Sequence, residues 1–212
     1  MIKNNFVVIV FAKAPVPGEV KTRLIPALGE QYAAMLHVAL TERALKTAQQ
    51  SRAIAVELCG APDVSHAFFQ DCAEDFDIAL TAQGAGDLGE RMGRALAQGI
   101  EQHTHAIIIG ADCPALTAQH ISSAADMLDS HDVVLTPAED GGYALIGAKR
   151  MHADMFNAID WGGAEVLAQQ RRNLTACQLS CHEMETLWDV DRPADLIRLK
   201  ALKPPLEFFW PN

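Results

Sequence analysis

The sequence has no apolar run approaching the roughly 18 residues that a transmembrane helix needs. Its 212 residues also contain no internal repeat, low-complexity tract or linker, which sets aside fibrous and disordered classes. No charged and then apolar leader stands in Met1-Ile2-Lys3-Asn4-Asn5-Phe6, so the expectation is a cytoplasmic protein without a membrane partner. Positive charge is scarce. Seventeen Lys and Arg face 27 Asp and Glu, a net charge of −10. General nucleic-acid binding needs a basic face and is not expected. Any local gathering of cations becomes informative for the same reason. The five cysteines (59, 72, 113, 177 and 181) are an odd number, and reduced thiols are expected. Cys177, Cys181 and His182 lack the second cysteine pair of a zinc site.

What is present reads as globular: half the residues are hydrophobic, with 14 Gly and 10 Pro. A chain of this length suits one domain, 1–212, with a large core. Strand and helix patterns alternate, which predicts a layered α/β fold around a mostly parallel sheet. Strands are expected at 7–12, 53–58, 77–81, 105–109, 132–136, 143–147 and near Gln178. Helices are expected at 29–50, 63–72, from Leu88 past Ile100, 117–128, 164–172 and 193–202. Leu88, Met92, Leu96 and Ile100 make one apolar stripe. The aromatics of the tail, Phe208, Phe209 and Trp210, are expected to cover a core edge or a subunit contact.

Four segments could carry chemistry. The first is the loop Phe11 to Leu24, after the first strand, where open α/β sheets place ligands. It holds Ala12, Lys13, Ala14, Pro15, Gly18, Lys21 and Arg23. Three cations in a short stretch of an acidic chain suit phosphate oxygens, and Gly18 lets backbone N–H groups come close. It is not a P-loop, and a solvated basic loop is the alternative. The second is Gly110-Ala111-Asp112-Cys113-Pro114, an acid at the tip of a buried strand. Mg²⁺ takes one or two carboxylates together with substrate phosphates; a turn-capping Asp is the alternative. The third is Asp189-Val190-Asp191-Arg192-Pro193, where Asp191 is either a helix N-cap or a second metal carboxylate. The fourth is Glu139-Asp140-Gly141-Gly142-Tyr143, which either faces a substrate or is a tight connection between strands.

Gly84-Ala85-Gly86-Asp87-Leu88-Gly89 matches the dinucleotide fingerprint G-x-G-x-x-G. Asp87 would place a negative charge where pyrophosphate belongs, and the match falls mid-chain. A nicotinamide-dependent enzyme is therefore not the leading reading.

In order along the chain, several groups of residues resemble a bacterial family of transferases with the GT-A (nucleotide-diphospho-sugar transferase) fold. They are Lys13, Pro15, Gly18, Lys21-Thr22-Arg23-Leu24, Gln83-Gly84, Gly86 to Gly89, Arg91-Met92, Gly110, Asp112 to Pro114, Gly141 to Tyr143, Leu145, Gly147, Trp161, Asp189 to Asp191, Pro193 and Asp195-Leu196. Members carry the label glycosyltransferase, and some are linked to arsenosugar biosynthesis. The family is related to molybdenum-cofactor and phospholactate guanylyltransferases. The resemblance implies a central mixed sheet, and a nucleotide bound by the first loop and by Gln83, Gly84 and Asp87. It further implies Mg²⁺ or Mn²⁺ on Asp112 and Asp191, with Lys21, Arg23 and Asp112 as the catalytic set. The acceptor would lie near Glu139 to Gly142 and Trp161. Three features depart from the pattern: no D-x-D surrounds Asp112, the first loop carries prolines where nucleotidyltransferases of the fold have a glycine-rich loop ending in Arg and Lys, and Gly162-Gly163 stands where Ser-Thr is common. The readings kept open are glycosyl transfer from a nucleotide-sugar to a small-molecule acceptor, nucleotidyl transfer from an NTP, and nucleotide binding without turnover.

Overall fold

The computed structural model describes residues 5–211. Seven strands form one sheet: β1 (Phe6–Lys13), β2 (Ala55–Ala61), β3 (Ala79–Ala82), β4 (His105–Gly110), β5 (Val133–Pro137), β6 (Tyr143–Ala148) and β7 (Cys181–Glu183). Their order is β3-β2-β1-β4-β6-β5-β7. Every neighbouring pair is parallel except the two that β6 makes, with β4 and β5. This is the mostly parallel mixed sheet expected from the alternating pattern. β1 and β4 are buried on both faces, which is why they read as continuous apolar runs instead of alternating ones.

The helices are α1 (Ile25–Leu28), α2 (Glu30–Gln49), α3 (Ala67–Phe76), α4 (Leu88–Gln102), α5 (Ala118–Met127), α6 (Val166–Ala176) and α7 (Asp195–Lys200). One buried cluster joins Phe6, Val8, Val10 and Leu58 of the sheet to Leu45, Phe69 and Ile121 of α2, α3 and α5. A second joins Val7, Ile9 and Ile108 to Met92 and Leu96 of α4 and Val166 and Leu174 of α6. The stripe read from the sequence is thus the sheet-facing side of α4. A third, smaller cluster of Leu24, Leu36, Leu40, Val190, Leu196 and Leu199 takes in Leu206, Phe208 and Trp210 of the tail, while Phe209 is exposed. No helix among the described residues is long and apolar enough to cross a membrane.

Several boundaries differ from the sequence expectation, each for a local reason. β2 begins at Ala55 because Ser122 Oγ and Ser51 Oγ take the N–H groups of Arg52 and Ala53. α3 starts four residues late: Asp63 Oδ1 closes a turn onto Ser65, and His66 Nδ1 caps Phe68 N–H. The strand expected near Gln178 lies instead at Cys181–Glu183, because Gln178 itself is left-handed, with φ 56°. Pro193 does not open the last helix. Asp195 Oδ2 accepts from Asp191 N and Arg192 N, and α7 starts there.

Candidate active site

β1 lies between β2 and β4, so the strand order reverses there. Ligands of open α/β sheets sit outside the carboxyl ends of the strands at that point. Phe11 pairs with Gly110 across the ladder, which carries Lys13 and Asp112, two residues further on, to the same rim. Between this rim and α4 opens a cleft of about 500 Å³.

Lys21 ties the rim together. Its ammonium lies 2.7 Å from Asp112 Oδ1 and donates to Val190 O at 2.6 Å, with the side chain only 4% exposed. Val190 N–H returns a bond to Asp112 O at 2.8 Å. Lys21 is also left-handed, at φ 49°, a conformation that persists only where surrounding bonds over-determine it. Two residues on, Arg23 pairs with Asp191. From α2 beneath the loop, buried His37 makes a 2.9 Å hydrogen bond from Nε2 to Lys13 O. Burial lowers the His37 pKa, with Asp112 opposing, so a neutral imidazole with Nε2–H donating fits the contact.

The electrostatics follow from this packing. Desolvation by the surrounding cleft would raise the Asp112 pKa, but the Lys21 ammonium, which touches one carboxylate oxygen, outweighs it with help from Lys13 and holds the carboxyl below its ordinary range. Asp189 moves the other way: burial, then Asp140, push it up to about 6. Cys113 is pushed up to about 12 by burial and donates to Trp188 O, a structural thiol with no nucleophilic character.

Of the residues singled out from sequence, Lys13, Arg23, Asp112, Asp140, Gly142, Trp161 and Asp191 line the cleft. Others stand behind its wall. Gln83 is buried, and its amide donates to Ala12 O and Cys59 O, stitching β1 to β2. Gly84 packs near the Arg94 guanidinium, which also donates to Gln83 O and Ala85 O. Asp87 caps α4 in a reciprocal capping box with Glu90, so the glycine fingerprint is here a helix start. Ala14, Pro15 and Gly18 shape the loop without lining the cleft. Glu139 turns away to a two-pronged pair with Arg198, and Gly141 packs against Ala164 O with φ +92°.

Sequence reasoning missed most of the apolar wall: Leu88, Met92 and Val166 line the cleft beside Trp161 and Tyr143, the last of which the fourth segment had offered. Leu88 is 40% exposed, although its spacing reads as core. Trp161 reaches the wall because α4 carries glycine at position 89, where a Cβ would lie 2.8 Å from the indole. His37 and the Val190 carbonyl carried no signal in the sequence.

Among the described residues no three His, Cys, Asp or Glu side chains gather into a closed cation cage. The acids at the rim fit a different kind of site. Lys21 holds only Oδ1 of Asp112, and that side chain is half-exposed. One or two such carboxylates with a substrate's phosphates are what Mg²⁺ takes.

The family model described as an uncharacterized protein conserved in bacteria (DUF2064) matches residues 44–163. A 3-phospho-D-glycerate guanylyltransferase of Phenylobacterium zucineum (strain HLK1) is 33% identical over 113 residues, covering 51% of this chain and 50% of that protein. The chain therefore aligns with about half the length of this curated relative. A provisionally named nucleotide-diphospho-sugar transferase from Desulfovibrio desulfuricans G20 superposes with a TM-score of 0.80 at 29% identity, over 92% of this chain and 87% of that one. CMP:2-keto-3-deoxy-manno-octonic acid synthetase, solved with CTP, superposes at 0.59 and 11% identity over 94% and 98%, a likeness of fold alone.

Proposed function

The chain belongs to the bacterial family DUF2064, and from that premise we propose that it is a metal-dependent transferase that moves a glycosyl group from a nucleotide-sugar to a small acceptor. The observation that carries the reading is the rim itself. Lys13 and Arg23 line the cleft with Asp112 and Asp191 at the switch point of the sheet, and Lys21 holds Asp112 from beneath. Oriented cations and carboxylates of this kind stabilise charge on a phosphate without a protein nucleophile. Asp112 and Asp191 would hold Mg²⁺ or Mn²⁺, which supplies Lewis-acid neutralisation of the phosphate oxygens. Lys13 would meet the diphosphate directly, and Lys21 would fix the Asp112 carboxylate and keep it ionised. Beyond the acids the cleft continues along Met92, Tyr143 and Trp161, a wall suited to the faces of a sugar.

Nucleotidyl transfer from an NTP is the second reading. The guanylyltransferase relative supports it, and the same rim would serve attack at the α-phosphate. Thermal-shift and calorimetric titration with NTPs and with UDP-, GDP- and dTDP-sugars, each with and without Mg²⁺ or Mn²⁺, tests both readings. Stabilisation that needs both nucleotide and metal is expected. Binding by Asp112→Ala as tight as wild type would sink the proposal.

A further inference from the structure

The charges around the cleft are unevenly placed. Arg23 is occupied by Asp191 and Lys21 lies beneath Asp112. Among the described residues that line the cleft, Lys13 is the cation without an ion pair, and it stands at the loop end. The cleft also carries Asp140 and Asp189; neither forms an ion pair among the described residues, although both lie near enough to Arg23 to act on its charge. The helix ends there are also partly occupied. α4 begins beside the cleft at Leu88, but Asp87 and Glu90 cap it with their own carboxylates. α6 begins at Val166 behind Glu165, and the N–H of Leu167 goes to Gly141 O. A phosphate or carboxylate recognised at this wall would need an arginine fork, a lysine or open helix N–H groups. Among the described residues that line the cleft, the arginine in reach of these acids is Arg23, and Asp191 already holds it.

We propose that the acceptor is an uncharged polyhydroxyl compound with an apolar face, a sugar or a sugar-like alcohol, and not a phosphorylated acid; this rests on the transferase reading above. Its C–H face lies on Trp161, Tyr143 and the half-exposed Leu88, and its hydroxyls donate to Asp140 and Asp189. A phosphorylated acid would instead bring about two negative charges on its phosphate, and a further one on its carboxylate, against two carboxylates without ion pairs. In the transfer, the acceptor hydroxyl oxygen bonds to the anomeric carbon of the donor. The bond from that carbon to the diphosphate oxygen breaks, and its electron pair leaves on the nucleoside diphosphate, held by Lys13. The hydroxyl proton passes to the Asp140 carboxylate and then to water.

The test offers acceptors in pairs that differ by one phosphate, such as glucose with glucose 6-phosphate and glycerol with glycerol 3-phosphate, with glycerate and 3-phosphoglycerate as the acid pair. The donor is whichever nucleotide binds with metal in calorimetry. Failure of every donor to bind refutes the transferase reading, and this inference with it. With a donor bound, kcat/KM at least tenfold higher for an uncharged member than for its phosphorylated twin is expected. Equal or better use of the phosphorylated twin, or donor binding with no turnover of any uncharged member, overturns the inference while the donor site stands. Asp140→Lys puts a cation on the wall and should narrow the ratio at least threefold. Asp140→Asn should narrow it less. A ratio unchanged in both variants also counts against the proposal.

Discussion

Replacing Lys21 with methionine separates a structural ion pair from a decorative one. The side chain is 4% exposed and holds Asp112 Oδ1 at 2.7 Å and Val190 O at 2.6 Å. Breaking a fully buried pair costs about 3–5 kcal/mol. Asp112 is half-exposed to the cleft, so water would screen much of its orphaned charge. Loss of a hydrogen bond to a charged group costs about 1.5–3 kcal/mol, and the Val190 carbonyl loses its donor as well. The expected destabilisation is therefore about 2–3 kcal/mol, or a fall in Tm of about 5–10 °C for a chain of this size. The sign with pH follows from the lowered pKa of Asp112. Its stabilisation is present above the unfolded value of about 3.9 and is lost as pH falls through the lower folded value. Lys21→Met should shrink that acid limb. Urea unfolding of wild type, Lys21→Met, Asp112→Asn and the double variant at pH 7 gives the coupling, expected at about 1–3 kcal/mol. A coupling under about 0.5 kcal/mol, or a Lys21→Met midpoint equal to wild type, would refute the reasoning.

The sheet was legible because its strands announce themselves. Ile107-Ile108-Ile109 and the Phe6 to Ala12 run are buried on both faces, and continuous apolar runs survive any change of register. Boundaries were less legible because single side chains decide them. Ser51, His66 and Asp195 each satisfy a backbone N–H in a way that their residue type allows but does not require. The rim was legible for a different reason. Lysines and arginines gathered in an acidic chain stand out, and an Asp at the end of an apolar strand stands out further. The pairing of those charges was not legible. Lys21 reaches Asp112 and Val190 across 91 and 169 residues, and only the fold shows that it lies under the rim instead of facing the cleft.

The apolar wall was hidden by a shared signal. Leu88 and Met92 belong to the same four-residue stripe as Leu96, yet Leu96 is fully buried and Leu88 is 40% exposed. The stripe runs off the end of the sheet, and its first members become the wall of the cleft. Periodicity reports which face of a helix is apolar; it does not report where the partner surface stops. The glycine fingerprint at 84–89 failed in the converse way. Glycines with positive φ at 84 and 86 fit either a phosphate turn or a capped helix entry. The Asp87 and Glu90 capping box decides for the second.

The remaining predictions concern the supports of the site and the pH range of the fold. His37→Leu removes the bond to Lys13 O and should cost about 1–2 kcal/mol in urea unfolding. It should also weaken nucleotide binding more than it lowers the midpoint would imply; unchanged affinity would show that the loop does not need this anchor. Gly141→Ala forces a Cβ onto the Ala164 carbonyl at φ +92°, so a loss of about 2 kcal/mol or more is expected, and a Tm within about 1 °C of wild type would contradict it. The acid side of neutrality follows from three histidines, His37, His105 and His120, whose pKa values burial lowers. Nearby charges act on each: Asp112, Lys21 and Lys13 on the first, Asp129 and Lys149 on the second, Glu185 on the third. In every case burial is the largest cause, so the folded protein holds these protons less tightly than the unfolded chain. A group of this kind stabilises the fold above the unfolded value of about 6.5, and that stability is lost as pH falls through the lower folded value. The urea midpoint should therefore decline from pH 7.5 to 5.5; Asp189, raised to about 6, takes up its proton in the folded state within this window and offsets part of the decline. His105, whose Nδ1 is buried without a partner, is the cleanest site to isolate. His105→Asn should flatten that decline, and an unchanged slope would mean that the acid limb arises elsewhere.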